Sequence, residues 1–242
     1  MTETNIAPVK LAGVKVHPFA SVDELLNCVF NSDGEISPGM AVAVNPEKVL
    51  KSLEDEETKA ILNGATITYA DGIGVVKALE RKVDRKLTKI AGCELWLDVL
   101  NRSKNYHSKV LLVGARAEVV KKSAEILLSR GINVVHYMDG YFSDEQVVLK
   151  AIEKHQAQIV IVAQGSPRQE KLINRLQQVH PKVFYMGVGG SFDVLAGHVK
   201  RAPALWIKYN VEWLYRLLAE PKRIIRQFKL LKYVYLYLLN RL

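Results

Sequence analysis

The chain has 242 residues and lacks the features that mark several classes of protein. It has two cysteines, Cys28 and Cys93, far apart in the sequence, and its six histidines show no HxxxH or HExxH spacing. We therefore expect reduced thiols in a cytoplasmic protein and no zinc or iron site. Uncharged runs fall well short of the roughly 20 apolar residues that a membrane-spanning helix needs. The first residues also lack the basic and apolar regions of a signal peptide.

Two common phosphate-binding motifs are missing as well. Neither GxGxxG nor GxxxxGK[ST] occurs in the chain. The segment Asp71-Gly72-Ile73-Gly74 comes nearest to the first motif, but it has no third glycine at the required spacing. A dinucleotide enzyme of the GxGxxG type and a P-loop enzyme are therefore disfavoured.

The first four fifths of the chain alternate between two hydrophobic patterns. Short apolar runs rich in β-branched residues recur at Met40–Val44, Thr66–Ala70, Lys109–Val113, Ile132–Tyr137, Gln158–Ala163 and Val183–Val188. Stretches with helical spacing lie between them, at Pro46–Leu62, Ala117–Ser129, Asp144–Gln156 and Arg168–Val179. This order predicts an α/β fold with a mostly parallel sheet flanked by helices. The segment Leu11–Phe19 is expected to add a strand or a hairpin.

Glycine and small polar residues follow these apolar runs repeatedly. Because ligands of open α/β sheets bind at the carboxyl ends of the strands, this pattern favours a nucleotide-type ligand held by glycine backbones. The glycines concerned are Gly114, Gly165, Gly189 and Gly190. A structural interpretation stays open for single loops. Asn45-Pro46 fits a helix N-cap, Asp71-Gly72 a turn or a cap, and Ser166-Pro167-Arg168-Gln169 a capping box with Ser166 as the cap.

The net charge of +9 is concentrated at the C-terminus. Residues 198–242 contain ten Lys and Arg and two Glu, so this segment carries +8 and the rest of the chain +1. We predict a body at 1–197 and a basic helical appendage at 198–242. Such a segment is typical of proteins that bind nucleic acid, anionic lipid or a phosphorylated substrate.

The appendage has the spacing of amphipathic helices. One helix is predicted over Leu205–Ala219, and Pro221 should end it and begin another. In the second helix, the apolar residues that form one stripe are Ile224, Phe228, Leu231, Tyr235, Leu238 and Leu242. The residues on the opposite side are Lys222, Arg226, Lys229 and Tyr233. Such a helix can pack on the body, join two copies, or lie on an anionic membrane. Nucleic acid is disfavoured because the body is nearly neutral and carries no nucleic-acid-binding motif.

Several motifs resemble the WecG/TagA/CpsF glycosyltransferases, glycosyltransferase family 26. The resemblance runs from about Leu11 to the end of the chain. It is closest to the enterobacterial-common-antigen branch, which transfers N-acetylmannosaminuronic acid. The motifs are Asn45-Pro46-Glu47, Tyr69-Ala70-Asp71-Gly72, Gly165-Ser166-Pro167-Arg168-Gln169-Glu170, Gly187-Val188-Gly189-Gly190-Ser191-Phe192-Asp193, Lys200-Arg201-Ala202-Pro203 and Glu212-Trp213-Leu214-Tyr215-Arg216-Leu217-Leu218.

This resemblance implies a Rossmann-like fold with a basic appendage and a hexosyltransferase activity. The donor would be UDP-N-acetylmannosaminuronic acid or UDP-N-acetylmannosamine. The acceptor would be the 4-hydroxyl of GlcNAc-diphospho-undecaprenol, in the synthesis of a bacterial surface polysaccharide. Transfer would invert the anomeric centre and need no metal or other cofactor. The protein would bind peripherally to the inner face of the cytoplasmic membrane, and the apolar residues of its appendage could also join two copies.

The resemblance also implies roles for individual residues. Asp71 matches the proposed general base, and Asn45 and Gln169 match polar residues of the sugar pocket. Tyr141 and Asp193 match positions near the uridine. The appendage residues Arg216, Arg223 and Arg226 match arginines proposed to close over the diphosphate, where guanidinium groups stabilise negative charge.

Two positions depart from the family pattern. Ala43 stands where the teichoic-acid branch has Thr, and Lys89 stands where many members have Arg. Lys89 keeps the charge for substrate binding but not the bidentate geometry of Arg. A uronate carboxylate on the donor needs a nearby cation, and Lys89, Arg168 and an appendage arginine are each candidates. Two other functions stay open from the residues alone: a non-enzymatic protein of the membrane surface, and a nucleotide-sugar hydrolase or epimerase.

Overall fold

The computed structural model describes residues 6–209, 211–219 and 224–242, without the side chains of residues 213, 216, 219 and 224–229. In this part of the chain, a hairpin of β1 (Val9–Leu11) and β2 (Val14–Val16) precedes one parallel sheet in the order β4-β3-β8-β7-β5-β6. The strands of the sheet are β3 (Gly39–Val44), β4 (Ile67–Ala70), β5 (Val110–Gly114), β6 (Val134–Met138), β7 (Ile159–Ala163) and β8 (Phe184–Gly187). The predicted parallel α/β sheet and the predicted N-terminal hairpin are confirmed.

Helices cover both faces of the sheet. The first face is covered by α2 (Pro46–Glu54), α3 (Glu56–Gly64), α4 (Ile73–Glu80), α7 (Gln146–His155) and α8 (Arg168–Val179). The second face is covered by α1 (Val22–Val29), α5 (Gly92–Ser103), α6 (Ala117–Ser129) and α9 (Ser191–Leu195). Successive strand residues enter opposite cores: Leu111 and Val113 face the first layer, and Val110 and Leu112 face the second. Burial on both faces explains the continuous apolar runs of the sequence.

The predicted helix Pro46–Leu62 is wrong as a single element. It is divided into α2 and α3 at Asp55, which has an extended backbone. Oδ1 of Asp55 accepts hydrogen bonds from the N–H groups of Glu57 and Thr58, at 3.1 and 3.2 Å. Asp55 therefore acts as the N-cap of a new helix, although the apolar spacing continues across it.

The C-terminal residues also depart from the predicted pattern. The helix predicted over Leu205–Ala219 consists of α10 (Ala204–Lys208) and α11 (Glu212–Ala219), and α12 spans Ile224–Leu238. Tyr233, placed opposite the apolar stripe by its spacing, is the buried anchor of α12 at 3% exposure. Leu231, Tyr235 and Leu238 of the stripe are exposed instead, while Leu242 is buried with Tyr233 in the first-face core. The other stripe residues, Ile224 and Phe228, have side chains outside the described set.

No helix within the described residues is long and apolar enough to cross a membrane.

Candidate active site

The sheet has a topological switch point between β5 and β7. After β5 the chain continues through α6 on the second face, and after β7 it continues through α8 on the first face. Neighbouring strands whose connections leave to opposite faces open a crevice at their carboxyl ends. Gly114 ends β5, and Gly165 follows β7 by two residues. Both of these predicted binding glycines therefore lie at the crevice.

Gly114 allows the loops at the switch point to pack closely. Its φ of +130° is outside the range that other residues adopt readily, and a Cβ there would come closer than 3.0 Å to backbone atoms of Ala163. The N–H of Gly140, after β6, donates to the carbonyl oxygen of Ala115 at 2.9 Å. Nε2 of Gln164 donates to the carbonyl oxygen of Gly140 at 3.0 Å. Three loops are thus fixed against each other around Gly114.

Gly165, Gly189 and Gly190 have the opposite environment. A Cβ added at any of them would meet no atom within 4 Å, other than those of its chain neighbours. Gly165 and Gly189 also have positive φ values, +75° and +57°. The space beside their Cα atoms is therefore open at the carboxyl edge, which leaves room for a ligand close to the backbone.

Asp71 lies at the other end of this edge, directly after β4. Its N–H donates to the carbonyl oxygen of Val44 at 2.9 Å, so it lies beside the end of β3. The N–H of Ile90 donates to the carbonyl oxygen of Ala70 at 3.0 Å, which brings the segment with Lys89 next to Asp71. A Cβ on Gly92, the first residue of α5, would be 3.7 Å from Oδ2 of Asp71. The half-buried carboxyl group is therefore enclosed by three chain segments, one of which is the start of α5.

Tyr69 lies beneath this carboxyl group. Its side chain is fully buried, and its hydroxyl has no hydrogen-bond partner among the described residues. Burial and, next, the charge of Asp71 raise the pKa of Tyr69 well above its ordinary value. A Cβ on Gly92 would be 2.9 Å from this hydroxyl and 3.4 Å from the Cβ of Ala43. Tyr69 therefore stays a neutral phenol that fills the floor of the site.

Asn45 follows β3 and caps α2, as its sequence predicts. Its Oδ1 accepts the N–H of Lys48 at 2.9 Å, and Pro46 occupies the first position of the helix. This bond fixes which end of the amide faces the helix. Nδ2 is therefore the end that can donate to a ligand, and it has no protein partner in the part of the chain that the structure describes.

Gln169 has both ends of its amide bound within the protein. Its Oε1 accepts the N–H of Gly189 at 2.8 Å, and its Nε2 donates to Oε1 of Glu170 at 2.9 Å. The side chain is buried, and α8 begins at Arg168 with Pro167 as an N-cap that makes no side-chain hydrogen bond. The predicted capping box with Ser166 is therefore wrong. The contact of Gln169 with a sugar stays a prediction.

The remaining predicted residues lie at different points of the edge. Tyr141, after β6, is largely exposed, and its N–H donates to Oδ1 of Asp139 at 2.8 Å. Asp193 is half-buried in α9, after β8. The ends of β6 and β8 are three strand spacings apart, roughly 14 Å. The structure therefore places Tyr141 and Asp193 on the same edge but after different strands.

A polar cleft opens beside the switch point, between α8 and the loop that follows β6. Its volume is about 130 Å³. Nη2 of Arg168 donates to the carbonyl oxygen of Gly140 at 3.4 Å, and Nε of Arg175 is 2.6 Å from Oε2 of Glu145. Within the described residues, no group of three or more His, Cys, Asp or Glu could hold a metal ion.

The C-terminal helix α12 packs beside the Asp71 end of the edge. The hydroxyl of Tyr233 donates to the carbonyl oxygen of Gly74 at 3.2 Å, and a Cβ on Gly74 would be 3.3 Å from the ring of Tyr233 and 3.4 Å from Pro46. Of the three predicted arginines, Arg223 lies outside the described residues. Arg216 lies in α11 and Arg226 in α12, and their side chains are outside the described set.

Sequence reasoning missed a buried ion pair behind this edge. Nζ of Lys48 lies 2.8 Å from Oε1 of Glu170, and their side chains are only 9% and 6% exposed. Burial alone would raise the pKa of Glu170, but the charge and hydrogen bond of Lys48 and the hydrogen bond of Gln169 hold it below its ordinary value. Both residues stand in or next to the quoted motifs. Their opposite charges on two predicted helices were the available signal.

The fold is that of an open α/β protein with a crevice at a topological switch point and several glycines along the same edge of the sheet. A carboxylate lies at one end of the same edge. The family model of the WecG/TagA/CpsF glycosyl transferases matches residues 9–242, and the chain belongs to this family. Membership makes it a glycosyltransferase of polysaccharide biosynthesis, with a nucleotide-sugar donor and a lipid-linked acceptor.

Proposed function

We propose that this glycosyltransferase moves N-acetylmannosaminuronic acid, or N-acetylmannosamine, from its UDP donor to the 4-hydroxyl of GlcNAc-diphospho-undecaprenol. The observation that carries the proposal is the enclosed position of Asp71 on the edge that also holds the open glycines. Two strand spacings, roughly 10 Å, separate the ends of β4 and β8. A sugar held near Gly189 and Gly190 would therefore have its anomeric carbon close to Asp71.

In this mechanism Asp71 acts as the general base. It takes the proton of the acceptor 4-hydroxyl while that oxygen attacks C1 of the donor sugar. The bond between C1 and the β-phosphate oxygen breaks on the opposite side, so the configuration inverts and UDP leaves. The proton remains on Asp71 until solvent removes it.

The departing UDP gains negative charge and needs cationic partners. We assign this role to Arg216, Arg223 and Arg226 of the appendage, without a metal. Support comes from α12, which carries Arg226 and packs through Tyr233 against Gly74, three residues after Asp71. Guanidinium groups suit this role because they donate two parallel hydrogen bonds to phosphate oxygens.

For a uronate donor, the sheet favours Lys89 over Arg168 as the partner of the sugar carboxylate. Lys89 belongs to the segment beside Asp71, whereas Arg168 follows β7, three strand spacings or roughly 14 Å from the end of β4. The carboxylate and C1 belong to the same sugar ring. A sugar whose C1 is within reach of the base therefore keeps its carboxylate on the Lys89 side.

We further propose that the protein acts as a peripheral protein on the inner face of the cytoplasmic membrane. The appendage combines a charge of +8 with exposed apolar side chains on α12. Cationic and apolar groups on one helix suit an anionic bilayer surface. The acceptor lipid would be held in the same surface.

The test of this function is a donor panel assayed with a GlcNAc-diphospho-polyprenol analogue. Asp71→Asn should reduce kcat by about a thousandfold or more, within the range of general-base catalysis, and leave UDP binding by calorimetry unchanged. Asp84 is an exposed carboxylate in the loop between α4 and α5. Asp84→Asn is therefore the matched control and should keep full activity. Ordinary turnover of Asp71→Asn would remove Asp71 as the base.

The same panel separates the alternatives. Lys89→Met should lose activity with UDP-N-acetylmannosaminuronic acid but keep it with UDP-N-acetylmannosamine. Donor consumption without the lipid acceptor would indicate a hydrolase or an epimerase instead. The product's anomeric configuration, read by NMR, tests the inversion.

A further inference from the structure

The ion pair of Lys48 and Glu170 is buried behind the crevice, between α2 and α8. Nζ of Lys48 also donates to the carbonyl oxygen of Ala43 at 2.8 Å, so the pair joins the end of β3 to α8. Removing two charges from water costs about as much as their attraction returns, and apolar pairs of similar volume often stabilise a core equally well. Stability alone therefore does not account for a charged pair at this position.

The pair controls the orientation of one side chain at the site. A carboxylate only accepts hydrogen bonds, so Glu170 must face the NH2 end of the Gln169 amide. The carbonyl end of the amide then faces the N–H of Gly189. Gly187 leaves room for this arrangement, since a Cβ there would be 2.5 Å from Nε2 of Gln169. Each link in this series is a contact of 2.8 or 2.9 Å between buried or half-buried groups.

We propose that Lys48 and Glu170 are positioning residues that fix the Gln169 amide and, through it, the Gly189-Gly190 backbone at the sugar end of the crevice. The proposal rests on the proposed function, in which the donor sugar is held near these glycines. Neither Lys48 nor Glu170 touches the substrate. Lys48 holds the carboxylate charged, the carboxylate orients the amide, and the amide holds the loop.

The first measurement is amide hydrogen exchange by NMR, which needs no activity. Lys48→Met/Glu170→Leu replaces the ion pair by apolar side chains and removes the acceptor of Gln169. The Gly189 amide should then exchange about tenfold faster, as expected for the loss of one hydrogen bond. The Val188 amide bonds to the carbonyl oxygen of Val162 at 2.8 Å and should not change. Glu170→Gln is a second variant if the double variant does not fold: an amide at position 170 can both donate and accept, so it no longer fixes which end of the Gln169 amide it faces, and the Gly189 amide should again exchange faster.

The second measurement is turnover in two backgrounds. Lys48→Met/Glu170→Leu should lower kcat/KM about tenfold or more, because misplaced binding groups are costly at a reacting centre. In a Gln169→Ala background the same double change should cost nothing further, since Lys48 and Glu170 act through Gln169. Lys171→Met is the matched control: Lys171 is on α8 next to Glu170 and pairs with the exposed Glu57. It should change neither exchange nor turnover.

The outcomes separate this inference from the proposed function. An unchanged Gly189 amide in Lys48→Met/Glu170→Leu, or a turnover loss that adds in full to that of Gln169→Ala, would overturn the positioning role. If the wild-type chain transfers no sugar from any donor, the proposed function fails. The exchange measurement then decides the positioning role alone.

Discussion

The helix α2 makes two interfaces that look alike in distance and differ in burial. Toward α8, Lys48 lies 2.8 Å from Glu170, with side chains 9% and 6% exposed. Toward α12, Glu54 lies 3.0 Å from Lys232, with side chains 52% and 53% exposed. An exposed pair is screened by water, whereas breaking a buried pair leaves a charge without a partner. The two ion pairs have similar distances, but we expect their contributions to the free energy of unfolding to differ.

The difference extends to the elements on either side. α8 packs into the first-face core through Leu172, Ile173 and Leu176, and it carries Gln169 to the crevice. α12 is held chiefly by the buried Tyr233 and by Arg81, whose guanidinium group lies 3.5 Å from the ring centroid of Tyr237. The body is thus a fixed frame for the site, and α12 is a helix docked on its surface.

The largest expected effect on the free energy of unfolding is at the buried ion pair, where α2 meets α8. Lys48→Met leaves the carboxylate of Glu170 buried without its partner, and we expect the free energy of unfolding to fall by about 3–5 kcal/mol. Lys232→Met, the same change on the exposed side, should cost about 0.5 kcal/mol or less. Urea unfolding of both variants at pH 7 measures the difference. Equal losses would show that burial does not separate the two interfaces.

The next effect is on the anchor of α12. Tyr233→Ala removes a buried aromatic side chain, and we expect the docking of α12 to weaken by about 2 kcal/mol. Because α12 lies at the surface, the opening should be local, and trypsin should cleave after Lys232 at least about tenfold faster. Tyr235→Ala, an exposed tyrosine on the same helix, is the control and should leave cleavage unchanged. Global unfolding of Tyr233→Ala would instead show that α12 is part of the frame.

The strands of the sheet could be predicted from the sequence because each of them is specified locally. The run Ile159–Ala163 is apolar at every position, which identifies a strand covered on both faces. Asn45-Pro46 is a local N-cap signal for a helix, and the structure confirms that α2 begins there. The division at Asp55 was missed because apolar spacing passes across it, while the cap depends on the backbone turning there.

The site could be predicted only in outline. Glycines after apolar runs identified the edge, since strand ends in a parallel sheet converge whatever the packing. The Ser166 capping box was wrong because the side chain of Gln169 bonds to Gly189 and Glu170 instead of the start of its own helix. The Tyr233 anchor was missed because a tyrosine among basic residues has no signal for burial before its partner, Gly74, is known.

A smaller effect is expected in how the free energy of unfolding depends on pH at the buried ion pair. The pKa of Glu170 is lowered in the folded protein, so this group stabilises the fold above its unfolded pKa of about 4.3. That contribution is lost as the pH falls through the folded pKa. Lys48→Met/Glu170→Leu should therefore lose stability less steeply than the wild type below about pH 4, by up to about 1.4 kcal/mol per pH unit for one proton. Urea midpoints from pH 7 to pH 3 measure the two slopes, and other carboxylates cancel in the comparison. Identical slopes would contradict the lowered pKa.

The smallest effect on stability is expected on the outer face of α12. Leu231 and Leu238 are 64% and 67% exposed, so Leu231→Ser/Leu238→Ser should change the free energy of unfolding by about 0.5 kcal/mol or less. Binding to vesicles with anionic lipid should fall at least about tenfold, because two leucine side chains no longer enter the bilayer. Leu128→Ser, an exposed leucine on α6, is the control for both measurements.

A loss of about 2 kcal/mol in the stability of Leu231→Ser/Leu238→Ser would mean that this face packs against the protein. A wild-type dimer that the double change converts to monomers, with vesicle binding unaltered, would mean that it joins two copies. Unchanged stability with lost vesicle binding is the result that separates α12 from α8, because it leaves the outer face without a role in the fold.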